Sequence, residues 1–196
     1  MRKVAVLLAD GFEEGEALFV VDVLRRAAFT CHMVGVDSGA QVTGSHGISV
    51  IPDALLSEDM TAYDMLVLPG GLPGAENLSR HPKVLDAVRD CLSDPARFVG
   101  AICAAPMVLA AADVARGRRL TSYPSDRFRA LFPQSEYVEA PVVVDGNLIT
   151  SRGPATTLPF AYALVDALGG DSAPLREGML FNLLVRHARE NPDAAI

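Results

Sequence analysis

Residues 98–112 read FVGAICAAPMVLAAA, an apolar strand pattern that runs directly into an alanine-rich helical pattern. The strand part holds only apolar residues and one glycine, which is typical of a parallel strand buried on both faces. Three further runs have a similar, largely apolar character, and each precedes a loop and a helical pattern; they span residues 4–9, 30–36 and 65–68. The chain therefore alternates between strands and helices, as parallel α/β sheets do.

Helical periodicity and turn signals complete this pattern. Helices are predicted over residues 14–28, 82–92, 104–112 and 154–168, the last of them opened by Pro154. Residues 41–51 and 142–150 interrupt the alternation with short strand patterns around glycines, which predicts antiparallel additions. The sum is a doubly wound α/β sandwich with a mostly parallel sheet and an added β-hairpin. Such folds bind ligands outside the carboxyl ends of their strands.

Composition limits the class of protein. The 196 residues are 50% hydrophobic with formal net charge -7, which predicts one domain over residues 1–196 with a frayed polar tail from about residue 190. A domain of this size buries roughly 70% of its unfolded surface, so it requires neither a disulfide nor a structural metal. The acidic balance and the absence of Lys/Arg runs argue against nucleic acid or an anionic membrane as a partner. Every apolar run is too short for a membrane helix or a signal peptide, so a cytoplasmic location is expected.

Cys103 stands out among the three cysteines. Ala101 and Ala105 lie two residues to either side, and small neighbours permit the sharp strand-to-helix turn known as a nucleophile elbow. The following helix is expected to favour the thiolate and lower the pKa of the thiol. The alternative is an ordinary buried cysteine on a parallel strand. Cys31 and Cys91 fit core positions and are predicted to have no chemistry.

Loops at the predicted strand ends supply further candidates. Glu16 belongs to an acidic loop in which most carboxylates suit helix capping; if it faces the cleft, burial raises its pKa and makes it a proton shuttle. Gly70 and Gly71 can expose backbone N–H groups to an oxyanion or form a plain tight turn. Arg152 either meets an anion or is a surface residue. The histidines show no metal-site spacing and no evident cysteine–histidine dyad.

Four motifs together resemble the ThiJ/PfpI family, in the branch of the parkinsonism-associated deglycase and its bacterial relatives. The motifs are Glu13-Glu14-Gly15-Glu16, Leu68-Pro69-Gly70-Gly71, Ala101-Ile102-Cys103-Ala104 and Thr150-Ser151-Arg152-Gly153-Pro154. The resemblance covers about residues 2–185. It implies a flavodoxin-like fold, a homodimer, and a reactive Cys103 close to a protonated Glu16. It also implies that the backbone groups of Gly70, Gly71 and Ala104 lie near the thiol.

Three positions depart from what the family often carries. Ala104 stands where the peptidase-like branch has histidine, and Tyr123 stands where the deglycase branch often has histidine. Tyrosine is a poor base at neutral pH, although it donates hydrogen bonds. His46 takes the place of an arginine in one relative. We therefore assign proton transfer to Glu16 and treat Tyr123, His46 and Arg152 as candidate substrate-binding residues.

The leading hypothesis is a cofactor-independent glyoxalase or deglycase that acts on methylglyoxal and related 2-oxoaldehydes or glycated substrates, with no metal. The Cys103 thiolate would add to the aldehyde and Glu16 would move protons. One alternative is a redox-sensing stress protein or chaperone that uses oxidation of the same cysteine. Another is a thiol amidase or peptidase, which needs a base near Cys103. The apolar stretch of residues 179–185 weakly supports a buried C-terminal helix and a dimer.

Overall fold

Strands and helices alternate along most of the chain, and the computed structural model describes them over residues 2–37, 39–57 and 59–192. The strands are β1 (Lys3–Leu8), β2 (Thr30–Gly35), β3 (Val42–Thr43), β4 (Ser49–Val50), β5 (Ala54–Leu55), β6 (Met65–Leu68), β7 (Phe98–Ile102), β8 (Arg119–Leu120), β9 (Glu136–Tyr137), β10 (Val142–Asp145) and β11 (Leu148–Ser151). The helices are α1 (Glu14–Arg26), α2 (Gly74–Arg80), α3 (Pro82–Ser93), α4 (Pro106–Ala111), α5 (Asp126–Arg129), α6 (Thr157–Ala167), α7 (Ala173–Gly178) and α8 (Phe181–Glu190), with a 3₁₀ turn at Pro154–Thr156.

The main sheet has the strand order β10-β11-β7-β6-β1-β2-β5 in the described part of the chain. Neighbouring strands are parallel except for β10 and β11. The chain builds outward from β1 through β2 and β5, then returns to the other side of β1 with β6 and β7. The carboxyl ends of β1 and β6 are therefore a topological switch point, where doubly wound folds bind ligands. The predicted flavodoxin-like α/β fold is confirmed.

Helices cover both faces of this sheet. α1 packs against α6 on one face, while α2, α3 and α4 cover the other. Residues of β1, β6 and β7 are therefore buried on both sides, which is why the sequence shows continuous apolar runs there instead of alternation. α6 lies so close to β7 that a Cβ atom at Gly100 would be 3.0 Å from side-chain atoms of Leu164 and Phe160. This tight contact holds in place the strand that leads into Cys103.

The two predicted antiparallel segments join the fold in different ways. β10 and β11 form one edge of the main sheet, with β11 parallel to β7. β3 and β4 form a separate two-stranded ribbon. That ribbon is tied to the loop after β1, because the N–H of Gly11 donates to the carbonyl of Thr43 over 2.7 Å and the N–H of Thr43 donates to Asp10 Oδ1 over 2.8 Å. The ribbon therefore lies over the carboxyl edge of the sheet.

Several boundaries differ from the sequence prediction. The helix predicted from residue 104 begins at Pro106, because residues 103–105 form the turn after β7. The predicted helix over 154–168 begins with a 3₁₀ turn, since the Thr156 hydroxyl accepts the N–H groups of Arg152 and Gly153. The short elements β5, β8, β9, α2, α5 and α7 lacked a sequence signal.

The C-terminal helix α8 is exposed in the single chain. It holds no buried residue, and Leu183 and Leu184 are 52% and 46% exposed. Burial of this helix in a dimer stays a prediction. The frayed tail was predicted from about residue 190, and residues 193–196 of it lie outside the described residues. Over the described ranges, no helix combines the length and apolar character needed to span a membrane.

Candidate active site

Cys103 lies at the sharp turn between β7 and α4. Its φ is +63°, in the left-handed region that non-glycine residues rarely adopt. Two backbone hydrogen bonds hold this turn: the N–H of Cys103 donates to the Ser151 carbonyl over 3.0 Å, and the N–H of Tyr123 donates to the Cys103 carbonyl over 2.8 Å. The turn predicted from the small flanking residues is therefore present. The Cys103 side chain remains partly exposed at the carboxyl edge of the sheet.

Glu16 lies in the first turn of α1 and is completely buried. Its Oε2 accepts a hydrogen bond from the N–H of Gly70 over 2.8 Å, whereas Oε1 has no hydrogen-bond partner among the described residues. Burial raises the pKa of Glu16 to about 7, and the charge of Glu13 adds to the rise, while Gly70 and Cys103 oppose it. The rise expected from burial is therefore present, and Glu16 exchanges its proton close to neutral pH.

The Cys103 thiol interacts directly with this carboxyl group. Burial raises the pKa of the thiol above its usual range, the charge and hydrogen bonding of Glu16 raise it further, and the N–H groups of Ala104 and Gly71 oppose the rise. The lowering of the thiol's pKa expected from the following helix is not found, because burial and the neighbouring Glu16 carboxyl raise that pKa instead. The thiol can therefore ionise only while Glu16 holds a proton, since two negative charges would otherwise share one buried site.

The glycine pair after β6 packs directly against the thiol. A Cβ atom at Gly70 would lie 2.7 Å from the Cβ of Cys103, so only glycine permits this approach. The N–H of Gly70 is already occupied by Glu16. The N–H groups that face the sulfur are those of Gly71, whose φ is +84°, and Ala104.

An open cleft of about 400 Å³ gives access to Cys103. Its walls come from the loop before α1, the β3–β4 ribbon, the loop after β6, and the segment from residue 123 into α5. The lining residues are Glu13, Ser45, His46, Gly71, Leu72, Cys103, Ala104, Tyr123 and Phe128. The structure thus brings the candidates His46 and Tyr123 to the thiol's cleft. Sequence reasoning assigned no role here to Glu13, Ser45, Leu72 or Phe128, and only Glu13 had a signal, its place in the acidic loop.

Arg152 is not brought to this cleft. It lines a neighbouring pocket of about 230 Å³, whose other lining residues are Pro124, Ser125, Asp126, Arg129, Tyr137 and Glu139. A Cβ atom at Gly153 would lie 3.8 Å from the ring of Tyr123, which places that ring beside the segment that carries Arg152. The arginine therefore faces a different surface from the thiol.

Glu14 and His46 form a second, separate pair. Oε1 of Glu14 accepts the backbone N–H of His46 over 2.7 Å, and Oε2 lies 2.8 Å from the imidazole Nδ1. Burial raises the pKa of Glu14, but the hydrogen bonds from His46 and the backbone outweigh it and lower the pKa to about 2. The same contact raises the pKa of His46, with the charge of Glu13 contributing. This pair ties the β3–β4 ribbon to α1.

Glu13, Glu14 and His46 also offer a possible donor set for a cation. One ligand atom from each lies within 4.8 Å of the others. Sequence spacing did not indicate this set, because the histidine comes from the ribbon, more than thirty residues after the glutamates. Oε2 of Glu14 and Nδ1 of His46 already hydrogen-bond each other, and Oε2 of Glu13 lies 3.6 Å from the same nitrogen, so these contacts are also explained as a structural tether.

The sequence matches that of a known protein family. A family model described as the DJ-1/PfpI family matches residues 2–167. The protein named dj-1beta of Drosophila melanogaster is 40% identical over 170 residues, which are 86% of this chain and 90% of that protein. A protein of Pyrococcus horikoshii named a deglycase is 35% identical over 154 residues, which are 78% of this chain and 91% of that protein.

A comparison with solved structures agrees. The crystal structure of a DJ-1 superfamily protein from Salmonella typhimurium, solved with a cysteine replaced by alanine, aligns with a TM-score of 0.84 at 39% sequence identity. The alignment covers 93% of this chain and 98% of that one. The structural similarity therefore extends over nearly the whole chain.

Proposed function

Because the chain belongs to the DJ-1/PfpI family, we propose that it is a deglycase-type enzyme that converts 2-oxoaldehydes such as methylglyoxal to 2-hydroxy acids without a cofactor. The observation that carries the proposal is the contact between the Cys103 thiol and the buried Glu16 carboxyl at the floor of an open cleft. A cleft of about 400 Å³ is of the size that holds small organic ligands. The relative named a deglycase supports the substrate class.

The first step is addition of sulfur to the aldehyde. The Cys103 thiolate attacks the aldehyde carbon of methylglyoxal while Glu16 holds the proton, and a C–S bond forms as the carbonyl π bond breaks. The N–H groups of Gly71 and Ala104, which already point toward the sulfur, stabilise the oxyanion. Glu16 then gives its proton to that oxygen, and the product is a hemithioacetal.

Glu16 also carries the remaining proton transfers. As a carboxylate it removes the proton from the former aldehyde carbon, which forms an enediolate, and it returns that proton to the neighbouring carbon. The hydroxyl proton of the first carbon passes to the oxygen of the second, which yields a thioester of lactate. Water hydrolyses the thioester and regenerates the thiol. A pKa of about 7 suits this repeated exchange near neutral pH.

The test is lactate formation from methylglyoxal without glutathione, measured enzymatically. We expect the wild type to form lactate and Cys103→Ser to lose at least 1,000-fold in kcat/KM, because the hydroxyl is a far weaker nucleophile. Cys91→Ser is the matched control, since that cysteine is fully buried outside the cleft. Equal activity of Cys103→Ser and wild type would refute the mechanism.

A second candidate function uses the same thiol as a redox sensor in a stress response. The partial exposure of Cys103 favours it, since peroxide can reach the sulfur, and the two N–H groups can hold sulfinate oxygens. Peroxide would oxidise the thiolate first to sulfenic and then to sulfinic acid. Intact-mass analysis after mild peroxide tests this: gain of two oxygens confined to Cys103 supports sensing, and oxidation spread over methionines contradicts it.

Two further parts of the proposal concern the class of enzyme and the oligomeric state. A thiol amidase or peptidase is not favoured, because in the part of the chain that the structure describes no histidine hydrogen-bonds to Cys103. We propose a homodimer on the strength of the family resemblance, and a small aldehyde or glycated substrate as the partner at the cleft. Light scattering on the purified protein tests the dimer through its mass.

A further inference from the structure

Glu13 lines the same cleft as Cys103, but the proposed reaction does not use it. It is the N-cap residue of α1, yet its side chain makes no capping hydrogen bond. Its backbone is held by an N–H bond to the Gly70 carbonyl over 2.9 Å. Its Oε2 lies 3.4 Å from the hydroxyl of Ser45 and 3.6 Å from Nδ1 of His46. The side chain, 19% exposed, thus stands between the ribbon and the opening to the thiol.

The negative charge of Glu13 is not cancelled within the cleft. Among the described residues that line it, none is lysine or arginine, and His46 alone can become cationic. The imidazole is closer to Glu14, at 2.8 Å, than to Glu13, at 3.6 Å. Two carboxylates and one imidazole give this cluster a charge of −1 when His46 is protonated and −2 when it is neutral. This cluster beside the cleft is therefore negative in both states.

We propose that Glu13 makes the cleft select substrates by their charge. It favours neutral and cationic carbonyl compounds over those that carry a carboxylate. This inference rests on the proposed function for its substrates. The favoured class includes 2-oxoaldehydes and their adducts on arginine side chains, which keep a positive charge, and the disfavoured class includes 2-oxo acids such as glyoxylate. Two like charges about 6 Å apart in a partly solvated cleft reduce binding about tenfold.

Charged thiol reagents test this directly. Two methanethiosulfonates share one reactive group but carry a sulfonatoethyl (anionic) or a trimethylammonioethyl (cationic) substituent. The Cys103 thiolate takes the thioalkyl group from either, which forms a disulfide and releases methanesulfinate. Intact-mass kinetics give both rate constants, and their ratio cancels the amount of thiolate present. We expect Glu13→Gln to raise the anionic-to-cationic ratio about tenfold. A ratio within twofold of the wild-type value would overturn the proposal.

Glu136→Gln is the matched control. It removes one carboxylate from β9, outside the cleft, and should leave the ratio unchanged. An equal rise in that variant would mean that net charge acts, and would contradict a role for Glu13. Glu13→Asp keeps the charge and should keep the low ratio, which separates charge from altered folding. Cys103→Ser provides the blank for the other cysteines.

The labelling experiment does not depend on turnover, so the two proposals can fail separately. A raised ratio in Glu13→Gln without lactate formation by the wild type would leave the charge selectivity standing and remove the glyoxalase reaction. Lactate formation with an unchanged ratio would do the reverse. Where lactate forms, inhibition by glyoxylate relative to glycolaldehyde, a neutral aldehyde of equal length, should strengthen about tenfold in Glu13→Gln. An unchanged relative inhibition would count against the inference.

Discussion

Glu14 and Glu16 lie in the same turn of α1 and are 4% and 0% exposed, yet their acid strengths differ greatly. The pKa of Glu16 is raised to about 7, and that of Glu14 is lowered to about 2. Burial is the largest influence on both groups and raises the pKa of each. Burial alone therefore does not explain the difference.

The number of hydrogen-bond donors explains it. Glu14 accepts two N–H groups and an imidazole from the β3–β4 ribbon, which stabilise its charge, while Glu16 accepts one N–H from Gly70. The Glu14 carboxylate thus stays charged at neutral pH as a structural anchor, and the Glu16 carboxyl exchanges its proton near neutral pH. Two carboxyl groups in one helix turn can therefore differ in pKa when only one of them, here Glu14, accepts hydrogen bonds from the β3–β4 ribbon.

The largest expected effect comes from removing the acid of Glu16. Glu16→Gln should lower kcat/KM for lactate formation at least 100-fold, because an amide cannot shuttle protons. Glu76→Gln, a change outside the cleft, is the control. If Glu16→Gln forms lactate at the wild-type rate, Glu16 is not the proton-transferring residue, and its raised pKa has no role in the reaction.

The same variant should be more stable than the wild type at pH 8. Glu16 ionises near pH 7 when folded and near 4.5 when unfolded, so between these values the folded state binds more protons and the free energy of unfolding falls as pH rises. The shift corresponds to up to about 3 kcal/mol. Urea unfolding should show the advantage of Glu16→Gln at pH 8 and its disappearance by pH 4. An equal advantage at both values would contradict the assignment.

Glu14→Gln should have the opposite effect on stability. Loss of the carboxylate leaves the ribbon donors of His46 and Ile48 poorly matched, which costs about 1–3 kcal/mol at pH 7. Because the pKa of Glu14 is lowered, its contribution is present above about pH 4.5 and is lost as the pH falls toward 2. Urea unfolding from pH 7 to pH 3 measures the decline, and a destabilisation independent of pH would break the comparison.

His46→Gln should give the smallest change. The imidazole is 69% exposed, and glutamine retains a donor for Glu14. Because the pKa of His46 is raised, its charge contributes below pH 6.5 and is lost as the pH rises through the folded value. The variant should therefore melt below the wild type at pH 5 and close to it at pH 9. A larger deficit at pH 9 than at pH 5 would exclude the charged pair as the cause.

Sequence patterns predicted what depends on neighbours along the chain. The continuous apolar runs located β1, β6 and β7, and the small residues around Cys103 predicted its turn, since both follow from local sterics and from burial on two faces. The pKa of that thiol was predicted in the wrong direction. Burial raises that pKa, and the Glu16 carboxyl that raises it further comes from α1, far away in the chain.

The site residues also divide into those that sequence motifs identify and those whose position only the fold determines. Cys103 and Glu16 were recognisable from motifs, whereas Arg152, a candidate substrate-binding residue, lines a neighbouring pocket and not the cleft of the thiol. Glu13 was visible only as one acid among several. Its proposed role in selecting substrates by charge depends on its place beside the β3–β4 ribbon, and no local sequence pattern specifies where that ribbon lies.

The sequence by itself determined the α/β order, the family, and the turn that carries the reactive cysteine, because periodicity and small residues act over short stretches of chain. Only the tertiary structure decided which glutamate stays charged, which holds a proton, and which lines the cleft entrance. Those outcomes depend on hydrogen-bond donors and burial supplied by residues thirty to ninety positions away. The pKa of a carboxyl group depends on such neighbours in three dimensions, and the local sequence around the glutamates does not specify them.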